Sequence, residues 1–422
     1  MQSITDLRWD DREVSALSDA VLPLIRSRSD LHRWHLANQH GEVMHAGVDL
    51  LEAAATTDPA ETFAVTQRAI ASAMKLIMRA DDSSGIIGDA CQRLLDLHAH
   101  TAQPARAPVA KLVDWLIAFQ FDQECVFFTV DPVAYAPALG DVGMASYRHR
   151  PAVGRERLGP GPSRGGAGAS TDGPEWSVLH YNDRRLAVHD HDIEAIIRTH
   201  ARDQRVPAWL EDTAQAFEEI GEIDLAIERA QRAVDHPSGG HQAVKAARYL
   251  ADLLSAHRPE ALLDFNGGVF ERWPTADHAA RLREAAAADW PARRAHVLDL
   301  LQASPREAVA FALTSLKEPE LAWRFAHDLD LTDGRLWSDV LKAYERVDPL
   351  ATLPRHLNLA IGELAVADAR NYRSASRRLA RVRKLAAGTE QAAAVDAVIA
   401  ELREEPRRRP RLQQEFTRAG LP

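Results

Sequence analysis

Apolar residues recur at intervals of three and four through most of this chain, broken every ten to eighteen residues by proline, glycine or a polar cluster, while strand-like alternation is scarce. That rhythm predicts an all-α fold. Leu112, Trp115, Leu116 and Phe119 put four side chains on one helix face, and Val395, Val398, Ile399 and Leu402 repeat the spacing. Each such stripe needs a neighbour to cover it. The punctuation agrees: Gly221 and Gly388 follow helical patterns where a left-handed residue closes a last turn, and Pro207, Pro259, Pro291, Pro305 and Pro319 stand at helix starts. With 422 residues the chain is long enough for about three domains or one array of repeats.

One stretch breaks the rhythm. Residues 151–175 begin PAVGRERLGPGPSRGGAGASTDGP and offer almost nothing to bury, so they read as a flexible linker. The expected organisation is a helical N-terminal domain over 1–150, the linker, and a helical array over 176–422. The glycines of the linker do not make a phosphate loop, since no Lys-Ser or Lys-Thr follows and no apolar strand precedes them.

Within the array, AWLEDTAQAFEEIGEIDLAIERAQRAVDHP (208–237) holds two helices whose small and large residues resemble a tetratricopeptide repeat. Ala214, Phe217, Gly221, Ala226, Ala233 and Pro237 fall where that motif has its small residue, aromatic, turn glycine, two alanines and closing proline, with Ala230 in place of a frequent aromatic. The alanines have a steric reason, because only a small side chain lets the second helix lie close against the first and against the next unit. Shorter helices in pairs continue to the end of the chain, and the expected architecture is an α-solenoid of tetratricopeptide-like units stacked so that neighbours cover each other's apolar faces.

Three segments, ADDSSGIIGDACQRLLDLHAH (80–100), FERWPTADHAARLREAA (270–286) and ELREEPRRRPRLQQEFTRAGL (401–421), resemble the helical region of bacterial SWIM zinc-finger-associated proteins. The likeness runs from about Asp49 to Leu421 with only the linker unmatched. The chain lacks the Cys-x-Cys followed by Cys-x-His that a SWIM module needs. The resemblance therefore implies ancestry without an activity, and a partner in the form of a separately encoded zinc-finger or nucleic-acid-associated protein.

Two cysteines, Cys91 and Cys125, make at most one disulfide and no structural zinc site of their own. The start, MQSITDLRWDD, is acidic where a secretory signal is basic then apolar, and no apolar run is long enough to span a bilayer, so a cytoplasmic location without membrane contact is expected. No GxSxG, HExxH or Walker sequence appears, and the expectation is a non-enzymatic chain without a cofactor. His32, His35, His40 and His45 crowd one segment, and His32 and His35 with distant carboxylates are the ligands a metal enzyme would draw on, but a solvated or interface face is the stronger reading. Cys125 reads as a buried structural thiol, Asp81 and Asp82 as a helix-end turn, and Asp190 or Asp192 as an N-cap.

The net charge of −10 conceals an asymmetry, because residues 370–422 carry thirteen basic side chains against six acidic ones. Arg373, Arg377, Arg381 and Lys384 follow one another at spacings of four, four and three, beside Arg378, and Arg407, Arg408, Arg409 and Arg411 extend the series. The first expectation for function is a protein–protein interaction scaffold whose concave surface holds a peptide or protein partner. Direct nucleic-acid binding through the basic helices is the alternative.

Overall fold

The computed structural model describes residues 15–121, 128, 130–158, 174–201, 204–404 and 410–421. Among them the chain is all-α, with no strand. No helix is long and apolar enough to cross a membrane. The chain divides into two compact units, residues 1–249 and 250–422.

The first unit begins with α1 (Ala16–Ile25), α2 (Trp34–Ala54), α3 (Pro59–Ile77), α4 (Ile86–Ala102), α5 (Val109–Phe121) and α6 (Ala136–Leu158), the last interrupted at Gly140. α1 packs on α2 and α3, and α4 packs on both α2 and α3, giving a bundle around Met44, Leu51, Trp115, Tyr135 and Tyr147. The crossing of α2 and α4 is close because Gly41 has no side chain: a Cβ there would stand 2.5 Å from Ile86 Cγ2. α7 (Pro174–His189), α8 (Ile193–Ile196), α9 (Pro207–Glu219), α10 (Ile223–Val234) and α11 (Gly240–His257) follow, and the boundary between the units falls within α11.

This division differs from the one expected at residues 151–175. The first eight residues of that stretch continue α6, with Pro151 inside it, and α7 starts at Pro174; residues 159–173 lie outside the described residues. The two sides are also tied together. Gln120 exchanges hydrogen bonds with buried Asn182 at 3.0 and 3.2 Å, Arg148 pairs with Asp190 at 2.5 Å and Arg155 with Asp183 at 2.6 Å. Polar contacts that bridge a glycine-rich segment join its flanks into one body, whatever the composition between them.

The second unit carries α12 (Leu262–Arg272), α13 (Ala276–Ala286), α14 (Trp290–Leu301), α15 (Pro305–Phe311), α16 (Pro319–Asp328), α17 (Gly334–Tyr344), α18 (Leu353–Ala365), α19 (Ala369–Ala386), α20 (Ala392–Glu404) and α21 (Pro410–Arg418). Here helices pack on their successors, α12 on α13, α15 on α16, α16 on α17, α18 on α19, and α13 and α15 also meet the helix two further on. One apolar core centres on Phe270, Phe311 and Trp337, a second on Leu379, Ile399 and Phe416. Trp337 donates from its indole to the Leu331 carbonyl at 2.6 Å while the Arg355 guanidinium lies 4.1 Å from its ring centre.

Candidate functional site

The helix pair of 208–237 forms where its sequence places it. Ala214, Phe217, Ala226, Ala230 and Ala233 are fully buried between α9 and α10, and five small or flat surfaces in one seam allow the two helices to approach closely. Gly221 turns the chain with φ of +81°, which frees the Glu222 N–H to donate to the Phe217 carbonyl at 2.9 Å and close the end of α9. Pro237 is exposed in the turn before α11.

What α9 does with its remaining faces defines the candidate site. It offers Asp212 and Glu219, two turns apart, to α7: Arg184 Nη2 reaches Asp212 at 3.0 Å and Arg185 Nη2 reaches Glu219 at 2.6 Å. It offers Glu211 and Glu218, again two turns apart, to α11: Lys245 Nζ lies 2.9 Å from Glu211 Oε1 and the Tyr249 hydroxyl donates to Glu218 Oε2 at 2.7 Å. So α7, α9 and α11 lie side by side in that order. The joined residues are 28 to 34 positions apart, close to the 34-residue length of a tetratricopeptide unit. Gln215 and Lys245 are exposed on this face, and Tyr181, Arg184, Arg185, Glu218 and Tyr249 are half-buried.

The charges here are coupled. Arg185 Nε also donates to Asp131 at 2.9 Å, so one guanidinium serves two carboxylates. Its bonds to Glu219 hold it above the usual arginine range despite burial, and the same bond holds Glu219 below the usual carboxylate range. Burial pushes Asp131 up against the pull of Arg185, and pushes the Tyr181 phenol up to about 12. His200, nearly inaccessible, is lowered to about 4 by burial and by nearby Arg184. Arg185, held between Asp131 and Glu219, fixes the orientation of both carboxylates.

Arg373, Arg377, Arg381 and Lys384 are all exposed along α19, and what distinguishes them is which have acidic partners. Arg378 is largely buried, donating to Glu363 and Ser338 at 3.0 Å, and Arg381 binds Glu345. His356 donates from Nε2 to Glu345 at 2.9 Å, its Nδ1 faces Arg378 Nη1 at 3.4 Å, and burial lowers its pKa. Burial raises the Glu345 carboxyl, but the bonds from Arg381 and His356 outweigh that and hold it low. Arg373, Arg411 and Arg418 surround the buried Glu415 at 4.0, 3.3 and 3.3 Å. Arg377 and Lys384 are exposed as well, Lys384 on the rim of a cavity of about 440 Å³ with Arg383 and Asp396. Arg407, Arg408 and Arg409 lie outside the described residues, as does Cys125. Arg378, beside the stripe, turns inward to Glu363 of α18, whereas Arg381 pairs with Glu345 at the end of α17 while staying exposed.

The histidines of 32–45 also differ in their partners. His40 Nε2 donates to the Ile25 carbonyl at 3.3 Å, and His45 bridges the Ile86 carbonyl at 3.1 Å and Arg93 at 2.9 Å. No group of three metal-ligating side chains occurs among the described residues. Asp82 accepts from the Ile87 and Gly88 N–H groups at 3.0 and 2.8 Å and so caps α4, and Asp192 caps α8 through Ala195 at 2.9 Å. Cys91 and His98 are both wholly buried on α4, where His98 Nδ1 meets the Tyr135 hydroxyl at 2.9 Å.

Sequence reasoning did not single out Arg184, Arg185, Glu211, Glu218, Lys245 or Tyr249. A signal for them exists, since Arg185 and Glu219, and Glu211 and Lys245, are opposite charges one 34-residue period apart. Comparison with known protein-family profiles and with curated proteins yields no match.

Proposed function

We propose that the chain is a non-enzymatic scaffold of tetratricopeptide-like helix pairs, stacked as a solenoid, that holds a protein partner on the face made by α7, α9 and α11. The observation that carries this reading is the row of first helices, joined by charged pairs about one repeat apart and leaving Gln215, Lys245 and the edges of Glu218 and Tyr249 open to solvent. Such a face is rigid, polar and extended, the form in which stacked repeats bind peptides. The separately encoded zinc-finger or nucleic-acid-associated protein implied by the sequence resemblance is the partner proposed for it. The nucleic-acid alternative is weaker, because Arg378 and Arg381 of the basic helix are engaged by acids of their own unit.

A random nonapeptide library displayed on phage and selected on the full chain tests the reading. Recovered peptides that slow amide exchange in α7, α9 and the first half of α11 support it. A selection that returns nothing above background, or protection confined to other helices, overturns it.

A further inference from the structure

The partner-binding face contains one buried carboxylate that its own neighbours leave half satisfied. Glu211 is 3% exposed, yet only Oε1 is engaged, by Lys245 Nζ at 2.9 Å and Gln215 Nε2 at 3.3 Å; Oε2 is buried and accepts no hydrogen bond among the described residues. A buried acceptor without a donor is costly and uncommon. The lysine above it does not solve this, because an ammonium is a compact point charge and here meets one oxygen only. Lys245 is itself 65% exposed at the end of a flexible stem, so it can swing aside.

We propose that Glu211 is the anchor for an arginine side chain of the partner protein, which displaces the Lys245 ammonium and binds both carboxylate oxygens. A planar guanidinium presents two parallel N–H donors at the spacing of a carboxylate, which satisfies Oε1 and Oε2 together. The surroundings favour a cation. Asp131, Glu211, Asp212, Glu218 and Glu219 are five carboxylates against the three cations Arg184, Arg185 and Lys245, and His200 is neutral at physiological pH. Arg185 is shared by two acids and Glu218 is met by a neutral phenol, so the excess is negative at the C-terminal end of α9, two turns from Glu211. The inference deepens the scaffold reading by naming the chemistry of the partner and rests on that reading.

Fluorescein-labelled octaarginine, octalysine and octaglutamate, measured by anisotropy against the full chain, test it. Octaarginine is expected to bind at least fivefold tighter than octalysine, with octaglutamate not binding. Glu211→Gln is expected to weaken octaarginine about tenfold, whereas Glu194→Gln, which removes the same charge from exposed α8, changes it less than twofold. Lys245→Ala removes the competing ammonium and is expected to tighten octaarginine more than Arg198→Ala does; this exposed substitution keeps the test alive if Glu211→Gln fails to fold. Equal affinity for octaarginine and octalysine overturns the proposal, as do equal losses for the Glu211 and Glu194 variants, weaker binding by Lys245→Ala, or no binding at all. If library peptides still protect α7, α9 and α11 while Glu211→Gln changes nothing, the arginine anchor is wrong and the partner face stands.

Discussion

His98 should make the stability of the first unit depend on pH, and the size of the effect follows from its surroundings. Its ring centre lies 4.2 Å from that of Phe63 and 4.3 Å from that of Trp115, with no exposed surface. Burial lowers its pKa from 6.5 to about 3. Between those values the unfolded chain binds a proton that the folded chain refuses, so stability is fully present above pH 6.5 and declines as the pH falls toward 3. Each pH unit in that window is worth about 1.4 kcal/mol, which gives a loss of about 2 kcal/mol at pH 5 and about 5 kcal/mol by pH 3. The variant for comparison is His98→Phe with Tyr135→Phe, which removes the imidazole and its hydroxyl partner together and leaves neither unpaired. His200 and His356, also lowered, titrate in the same direction and remain in both proteins, so the difference between them isolates His98. The assay is amide exchange of α4 and α5 in graded urea at pH 7.5 and 5.0, which follows this unit by itself. The parent should lose about 2 kcal/mol more than the variant. Equal losses, within about 0.5 kcal/mol, would refute the assignment of a neutral buried imidazole.

Other perturbations probe other parts of the fold. Ala226→Leu overpacks the fully buried α9–α10 seam and should cost about 1–3 kcal/mol, read as a lowered urea midpoint; an unchanged midpoint contradicts the close helix crossing. Gly221→Ala places a Cβ at φ of +81° and should cost about 1–2 kcal/mol by thermal unfolding, although nothing lies within 4 Å of it. Arg378→Ala leaves Glu363 without its cation and should destabilise the second unit by about 3 kcal/mol, and Arg378→Lys should not restore it, since an ammonium does not reach Ser338 and Glu363 together. Retention on duplex DNA at physiological ionic strength should be absent; steep salt-dependent binding abolished by Arg377→Glu with Lys384→Glu would revive the nucleic-acid reading.

The all-α fold was legible in the sequence because its signals are local. Apolar stripes at three and four residues, proline at N1 of α9, α15 and α16, and glycine after α9 and α19 each act within one helix. The helix pair of α9 and α10 was legible for a similar reason: the alanines that let two helices approach are close together in the chain. The division into units was not legible, because Gln120–Asn182 and Arg148–Asp190 join residues that composition separates. The pairing of the basic stripe was hidden for the same reason. Its spacing puts Arg373, Arg377, Arg381 and Lys384 on one exposed helix surface, but which of the basic side chains are paired depends on Glu345, Glu363 and Glu415, supplied by other helices and turns. The candidate site has the same origin, since Glu211 acquires its character only from Lys245 one period away.

The central claim is that α7, α9 and α11 form the face that receives a partner. Peptides from the library selection, resynthesised with a central benzoylphenylalanine and irradiated on the full chain, report the contact directly when cross-linked residues are mapped by mass spectrometry. The account predicts adducts on Tyr181, Gln215 and Tyr249; adducts concentrated on α19–α21 or on α2 would contradict it.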